Sequence, residues 1–346
     1  MKKEDVMKRV SLLVAVFLVL SVFNLSSILC DEAFAGPAKK YVMLYSSMKD
    51  SQLAALKEAF TSKYSDIEMD YYSAGTGKVM TKLAAEERAG NIGADVLWVG
   101  DPTNYLMFKD KGLLTPYVSP EAKTIPAGLK DPENYFCGAR IITLGLVYNT
   151  LNVKGKDIPD DWDDLLSPRF KGIAVMTDPT FSGTTLYTVA ALVQNPKYGW
   201  DFIKKLKANN VRIEKGSSAV VNKVGAGEYD VTIGVDYIAR SKMAKGSPIG
   251  FAYTKSGIST VASPIAIMKA TKNLEAAQRL YDYILSIEGQ QQLVKKQVIP
   301  VRPEVQLEGA LSVKDAVSRA MPVDAQDLLK NKVELLDKFN SIMKKK

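Results

Sequence analysis

Short apolar runs alternate with amphipathic stretches in the first third of the chain. Residues 41–45 and 94–99 have the apolar pattern of buried strands, and 67–72 reads as a third strand. Residues 50–64 and 78–88 carry apolar side chains at helical spacing. An order of strand, helix, strand, helix, strand predicts a mostly parallel sheet flanked by helices.

A second series of the same kind follows a long β-rich run at 141–148. Residues 173–176 and 231–235 are predicted strands, and an apolar helix is predicted to run through Val193. This repetition predicts a second lobe. The predicted division is a signal segment at 1–35, an N-terminal lobe at 41–140, a C-terminal lobe at 141–262, hinge crossings near 139–148 and 259–265, and a return segment with C-terminal helices packing across the lobes at 263–346.

Polar loops follow the predicted strands of the first series. They are Ser46-Ser47, Gly75-Thr76-Gly77 and Gly100-Asp101. Ligands of open α/β sheets bind in the crevice beyond the carboxyl ends of the strands. These loops are therefore candidate binding elements.

The N-terminus has the organisation of a secretory signal. Lys2, Lys3, Lys8 and Arg9 precede an almost uncharged stretch at 10–29, and Ala33-Phe34-Ala35 has small residues at the positions that signal peptidase requires. This pattern predicts cleavage near Ala35 and export to the periplasm. An uncleaved anchor is the alternative, because the apolar run is about 20 residues long. Lipidation at Cys30 is disfavoured by the bulky Leu29 just before it.

Composition restricts the chemistry. The chain contains no histidine, which excludes histidine-based triads and zinc sites and argues against an enzyme. After cleavage Cys137 would be the one cysteine, so no internal disulfide is expected. The net charge of +8 suits an anionic partner, or a solvated lysine-rich surface. Export makes nucleic acid an unsuitable partner.

The order of motifs resembles the periplasmic solute-binding proteins of ABC importers, in the branch that holds ferric-iron and phosphonate binders. The motifs that carry the resemblance are Leu44-Tyr45-Ser46-Ser47, Gly75-Thr76-Gly77-Lys78, Ala94-Asp95-Val96-Leu97-Trp98, Gly145-Leu146-Val147-Tyr148-Asn149, Ser182-Gly183-Thr184, Ser263-Pro264-Ile265-Ala266-Ile267, Ser286-Ile287-Glu288-Gly289-Gln290-Gln291 and Ile299-Pro300-Val301-Arg302-Pro303. The resemblance implies an α/β two-lobed fold of type II, in which lobes closing about a hinge bury the ligand. It also implies a monomer without cofactor that docks on an inner-membrane ABC permease.

The loop chemistry favours an oxyanion. Gly75-Thr76-Gly77 and 182–185 each precede a predicted helix, one in each lobe, and a helix N-terminus offers free N–H groups with a partial positive charge. Lys78 or Arg140 would add a full charge. Ser182 and Thr76 could instead serve only as helix N-caps. A phosphate-like or phosphonate-like anion is the preferred ligand.

Iron is the alternative ligand that the resemblance raises. Ferric binders of this branch use adjacent tyrosines after the strand that here ends at Asp236, whereas this chain has Tyr237 followed by Ile238. Tyr237 and Asp236 would coordinate Fe(III) if iron binds, together with a synergistic anion. Asp101 and Asp236 would also suit an amine on another small solute, or could merely cap helices.

The predicted ligand-binding residues are Ser46, Ser47, Thr76, Gly77, Lys78, Asp101, Arg140, Ser182, Gly183, Thr184, Thr185, Asp236 and Tyr237.

The sequence is also compatible with two other functional classes of protein. One is a secreted two-lobed transferase resembling porphobilinogen deaminase, whose cysteine-linked cofactor would need Cys137. The alternative is that Cys137 has only a structural role, as a small buried residue beside a hinge strand. The other is a receptor that passes its signal to a sensor protein.

Overall fold

The computed structural model describes residues 39–344. The predicted signal segment and Cys30 lie outside the described residues. No helix within 39–344 has both the length and the apolar character needed to cross a membrane.

Ten strands and eleven α-helices are described. The strands are β1 (Lys40–Ser46), β2 (Ile67–Ser73), β3 (Val96–Trp98), β4 (Leu114–Thr115), β5 (Cys137–Asn149), β6 (Ala174–Thr177), β7 (Arg212–Glu214), β8 (Val231–Val235), β9 (Ile249–Ala252) and β10 (Ser259–Met268). The helices are α1 (Asp50–Lys63), α2 (Thr76–Arg88), α3 (Thr103–Asp110), α4 (Gly183–Gln194), α5 (Gly199–Ala208), α6 (Ser217–Gly225), α7 (Asp236–Met243), α8 (Leu274–Leu285), α9 (Ile287–Lys295), α10 (Val313–Ser318) and α11 (Ala325–Met343). Short 3-10 helices occupy Pro120–Ala122, Ala127–Leu129, Gly155–Asp157, Trp162–Leu166 and Pro168–Phe170.

The strands join in the order β2-β1-β3-β10-β5-β8-β6-β7, with β4 paired to β10 and β9 paired to β5. Strands β1 and β3 are parallel, and so are β6 with β7 and with β8. The parallel groups predicted from the two strand series are therefore present. Between them lie β5 and β10, which are antiparallel to each other and to their outer neighbours.

Strands β5 and β10 connect the two parallel groups. The first half of β5 pairs with β10, from Cys137 opposite Ile265 to Leu144 opposite Ser259, and its second half pairs with β8. Strand β10 continues past this pairing to reach β3. The predicted hinge crossings fall on these two long strands, although the exact lobe boundaries stay predictions.

A buried glutamine holds the start of β5 to the C-terminal part of the chain. The Nε2 of Gln290 donates to the carbonyl oxygens of Ala139 at 2.9 Å and Ile284 at 2.8 Å. Its Oε1 accepts from the N–H of Val301 at 2.8 Å. Because Gln290 is fully buried, no water is at hand to replace these three bonds.

We expect Gln290→Leu to lower the free energy of unfolding by about 2–4 kcal/mol, because it leaves buried backbone groups unpaired. The exposed neighbour Gln291 provides a matched control, and Gln291→Leu should change the stability by less than about 0.5 kcal/mol. Denaturant titration of both variants measures the difference. Equal stability of the two would contradict the structural role of Gln290.

Candidate ligand-binding site

Five helix N-termini surround one cavity of about 160 Å³. The N-cap residues of α1, α2, α4, α6 and α7 all line it; they are Lys49, Gly75, Ser182, Gly216 and Val235. Each N-terminus has backbone N–H groups without intrahelical partners and about half a positive elementary charge. The cavity is therefore a place where a negative charge is stabilised.

Arg140 brings a full positive charge to the same cavity. The residue lies on β5 and is 1% exposed. Its Nε donates to the Ser263 hydroxyl at 3.3 Å, and its guanidinium packs over the rings of Trp98 and Tyr237, at 5.3 and 5.8 Å from the ring centres. The NH1 group has no hydrogen-bond partner within the described chain. Burial lowers the pKa of Arg140, and the neighbouring tyrosine phenols partly oppose that change.

Lys49 adds a second cation. Burial, followed by repulsion from Arg140, lowers the pKa of Lys49 below the usual lysine value. The cavity lining contains neither aspartate nor glutamate. A buried cation without a counter-ion is costly, so these two charges favour occupation of the cavity by an anion.

A cluster of hydroxyl groups occupies one side of the cavity. The Oγ of Ser182 lies 3.1 Å from the Thr184 Oγ1 and 3.2 Å from the Ser217 Oγ. It also accepts from the Thr185 backbone N–H at 3.3 Å and from the Thr185 hydroxyl at 3.0 Å. Ser182 is thus the N-cap of α4, as one interpretation of the sequence expected, and it also faces the cavity. Hydroxyls in such a cluster can rotate to donate to a bound anion.

Tyr237 completes the lining, where it is 6% exposed. Burial raises the pKa of the Tyr237 phenol, although Arg140 acts in the opposite direction. The phenol is therefore a neutral hydrogen-bond donor at physiological pH. Within 39–344 no group of three or more carboxylate or cysteine side chains is close enough to hold a metal ion.

Glycines allow the predicted N-terminal lobe to contact the predicted C-terminal lobe closely. A Cβ added to Gly77 would lie 2.7 Å from the Thr180 carbonyl oxygen, and one added to Gly75 would lie 2.9 Å from the Phe181 carbonyl oxygen. Gly100 approaches the Thr184 methyl group in the same way. Such distances leave no room for a side chain, so the two sides of the cavity are in direct contact.

The structure brings many of the predicted site residues together. The predicted residues that line the cavity are Ser47, Thr76, Arg140, Ser182, Gly183, Thr184 and Tyr237. Thr185 is buried behind them and reaches the site through its bond to Ser182.

Other predicted residues lie outside the cavity lining. The Ser46 hydroxyl is engaged with the Trp98 carbonyl at 2.8 Å, Gly77 faces a neighbouring cavity, and Lys78 is exposed. Asp101 forms an ion pair with Lys332 of α11 at 2.6 Å, and also accepts from the Thr103 hydroxyl at 2.7 Å. Its carboxylate is occupied by the protein itself.

Asp236 is likewise committed within the protein. It is fully buried, and its carboxylate pairs with Arg240 at 2.8 Å, one turn later on α7. Its other oxygen accepts from the Tyr237 backbone N–H at 2.6 Å. The predicted iron ligand Asp236 is therefore not among the residues that line the cavity with Tyr237.

Sequence reasoning missed several lining residues. They are Lys49, Ile142, Phe181, Gly216, Ser217 and Val235. The Gly216-Ser217 pair follows β7, a strand of three residues that was too short to be recognised from its pattern. Lys49 could have been found from its position one residue before the predicted helix at 50–64.

Residues 93–329 match the family described as bacterial extracellular solute-binding proteins. The chain belongs to this family. An uncharacterized protein of Haemophilus influenzae is 28% identical to this solute-binding protein over 265 residues, which cover 73% of this chain and 75% of that protein. A probable ABC transporter periplasmic-binding protein of Sinorhizobium fredii is 27% identical over 226 residues, 62% of each chain.

Solved structures share the fold of this solute-binding protein. The periplasmic binding protein AfuA from Actinobacillus pleuropneumoniae, with exogenous fructose-6-phosphate bound, has a TM-score of 0.77 at 24% identity, covering 88% of this chain and 98% of AfuA. Iron-bound HitA from Pseudomonas aeruginosa has a TM-score of 0.76 at 22% identity, covering 88% of this chain and 99% of HitA. The predicted family and the two-lobed type II fold are confirmed.

Family membership also confirms that this solute-binding protein is a non-enzymatic transport component. The transferase alternative, which required a cofactor on Cys137, is thereby excluded. Cys137 is buried, and burial raises the pKa of its thiol to about 12.

We expect Asp236→Asn to lower the free energy of unfolding of this solute-binding protein by about 3 kcal/mol, because it leaves the mostly buried Arg240 without its counter-ion. The control is Asp66→Asn, which removes an exposed pair with Arg279 and should cost less than about 1 kcal/mol. Thermal and denaturant unfolding compare the two. A loss at Asp236 no larger than that at Asp66 would contradict the structural role.

Proposed function

We propose that this protein is the substrate-binding component of an ABC importer and that it captures a small solute by its phosphoryl group. The observation that carries the proposal is the buried guanidinium of Arg140, whose NH1 has no hydrogen-bond partner among the described residues, at the meeting point of five helix N-termini. The names of the relatives support a periplasmic location and a transport role. Docking on a membrane permease belongs to the same proposal.

The donor set suits a tetrahedral oxyanion. Phosphate oxygens accept several hydrogen bonds at once, and bonds to an ionised acceptor are about twice as strong as neutral ones. Arg140, Lys49 and the hydroxyls of Ser182, Thr184 and Ser217 can all donate to such a group. Helix N-termini are established phosphate-binding elements.

The cavity of about 160 Å³ is small for a complete solute, because sites for small molecules usually measure about 300–1,000 Å³. It therefore suits the phosphoryl group of a larger molecule. The related AfuA structure contains a sugar phosphate, and a phosphoglycerate transport regulatory protein of Salmonella typhimurium is 26% identical over 151 residues. These names favour a phosphate ester over a phosphonate.

Iron is the second candidate, because the related HitA structure is iron-bound and Tyr237 lines the cavity. Fe(III) prefers anionic oxygen ligands such as phenolate and carboxylate. The cavity offers a single phenol, no carboxylate and two cations that repel a metal ion. Its chemistry therefore favours the anion.

Thr184→Ala and Ser217→Ala should each weaken binding of fructose 6-phosphate about ten- to a hundredfold, since each removes a donor to a charged acceptor in a closed cavity. Ser182→Ala should weaken it to a similar degree and also cost about 1 kcal/mol of stability, because Ser182 caps α4. Titration calorimetry measures the affinities. Ser62→Ala removes an exposed hydroxyl of α1 and is the control, with unchanged affinity.

Tyr237→Phe separates the two candidate ligands. It should weaken fructose 6-phosphate by the loss of one hydrogen bond, whereas it would abolish Fe(III) binding if iron is the cargo, because Phe cannot coordinate. Near-native sugar-phosphate affinity in all the hydroxyl variants, together with Fe(III) binding that depends on Tyr237, would reject the phosphoryl proposal in favour of iron.

Closure of the two lobes is expected to accompany binding. Gly77→Ala places a Cβ against the Thr180 carbonyl in the described arrangement, and we expect the lobes to be further apart without ligand. This crowding should therefore weaken fructose 6-phosphate binding about tenfold. Because alanine suits the helix that contains Gly77, the melting temperature without ligand should not fall. Small-angle scattering should show that adding ligand reduces the radius of gyration of the Gly77→Ala variant less than that of the parent protein.

Gly128→Ala is the control for closure, because nothing lies within 4 Å of a Cβ at Gly128. It should bind and compact like the parent protein. Identical compaction and affinity in Gly77→Ala would contradict a clamp that closes at this contact.

A further inference from the structure

A second cavity of about 420 Å³ adjoins the anion cavity, and the two share Lys49 and Tyr237 as lining residues. The second cavity is formed by the first turn of α1, by α7 and the residues after it, and by the end of α9. Ser218 follows Ser217 of the anion cavity and lines this one. The two cavities therefore meet at Lys49 and Tyr237.

The second cavity is rich in lysine. Its lysines are Lys49, Lys242, Lys245, Lys295 and Lys296. No aspartate or glutamate is among its lining residues, which otherwise carry hydroxyl, amide and small apolar groups. None of these five ammonium groups forms an ion pair with a carboxylate of the part of the chain that the structure describes.

Three other lysines of the protein are paired, by contrast. Lys63 pairs with Glu288 at 2.5 Å, Lys111 with Glu87 at 3.0 Å, and Lys223 with Glu214 at 2.7 Å. Five unpaired cations around one cavity repel one another, and an anion in the cavity relieves that repulsion. Lys242 and Lys295 also lie in the last turns of α7 and α9, where a cation favours the helix dipole.

We propose that this lysine-rich cavity receives a second anionic group of the same solute, so that the solute is a phosphate ester carrying a further carboxylate or phosphate. The inference rests on the proposed function, because it places the phosphoryl group in the cavity lined by Arg140. Lys49 contacts both cavities and links the two anionic groups.

A matched pair of probes tests the second group. 3-Phosphoglycerate and glycerol 3-phosphate have the same carbon chain and phosphoryl group, but only the first has a carboxylate. We expect 3-phosphoglycerate to bind at least tenfold more tightly, since a charged hydrogen bond is worth about that factor or more. Part of this preference should be lost at high salt, because the lysine-rich cavity is open to solvent.

The double variant Lys242→Gln with Lys295→Gln should remove most of the preference for 3-phosphoglycerate while leaving the affinity for glycerol 3-phosphate within about threefold. Lys269→Gln is the control, because Lys269 is exposed and lines neither cavity. If the two lysines act only on the helix dipoles, the double variant should have a lower melting temperature and keep its preference for 3-phosphoglycerate. That result would overturn the inference.

Thr184→Ala distinguishes failure of this inference from failure of the proposed function. It should weaken both probes by a similar factor, because both present the same phosphoryl group to the anion cavity. Equal affinities of the two probes, both sensitive to Thr184, would overturn the second subsite and leave the proposed function standing. Binding of neither probe, nor of fructose 1,6-bisphosphate, would overturn both.

Discussion

The buried, uncompensated positive charge of Arg140 is the constraint around which the site is built. A guanidinium taken from water loses much hydration energy, and that loss is recovered only through partners in the protein or in a ligand. Here the protein provides a side-chain hydrogen bond to Ser263 and the faces of Trp98 and Tyr237. The remaining hydrogen-bonding capacity at NH1 is left for a bound group. Strand β5, which connects the two parallel strand groups, holds this charge at the centre of the molecule.

The sheet topology explains why so many helix N-termini surround that charge. Each of α1, α2, α4, α6 and α7 follows a strand of a parallel group, namely β1, β2, β6, β7 and β8 in that order. A chain that leaves the carboxyl end of a strand and enters a helix must begin that helix at the same edge of the sheet. The sheet topology therefore places the positive ends of these helices close together. The local sequence has glycine at positions 75 and 77, where the backbones come close. It has Ser182 and Thr184 where hydroxyl groups face the cavity.

Much of this arrangement could be predicted from the sequence. The helical spacing at 50–64 and 78–88 predicted two helices well, because α1 begins at the predicted residue and α2 ends at it. The loops before α2 and α4, which were named as candidate binding elements, line the cavity. Strand β7 could not be recognised, because three residues carry too little periodicity, and with it the Gly216-Ser217 contribution was missed. The two aspartates of the predicted site had partners that local reasoning did not supply. Lys332 reaches Asp101 from 231 positions away in the chain, and Arg240 pairs with Asp236 only because α7 begins at that residue.

Those carboxylates nevertheless shape the site through the cations that neutralise them. Asp101, Asp178 and Asp236 each follow a strand at the sheet edge where the cavity lies, and each would attract a metal ion or an amine if it were free. Lys332, Lys344 and Arg240 pair with them at 2.6, 2.7 and 2.8 Å respectively. Two of the three cations come from the C-terminal helix α11 or the residue that follows it. Every one of these acids has its own counter-ion, whereas Arg140 and Lys49 form no ion pair with a carboxylate of residues 39–344. The field inside the cavity is therefore positive. Under the proposed function, preference for an anion over a cation thus depends on the distant C-terminal helix as well as on the residues that line the cavity.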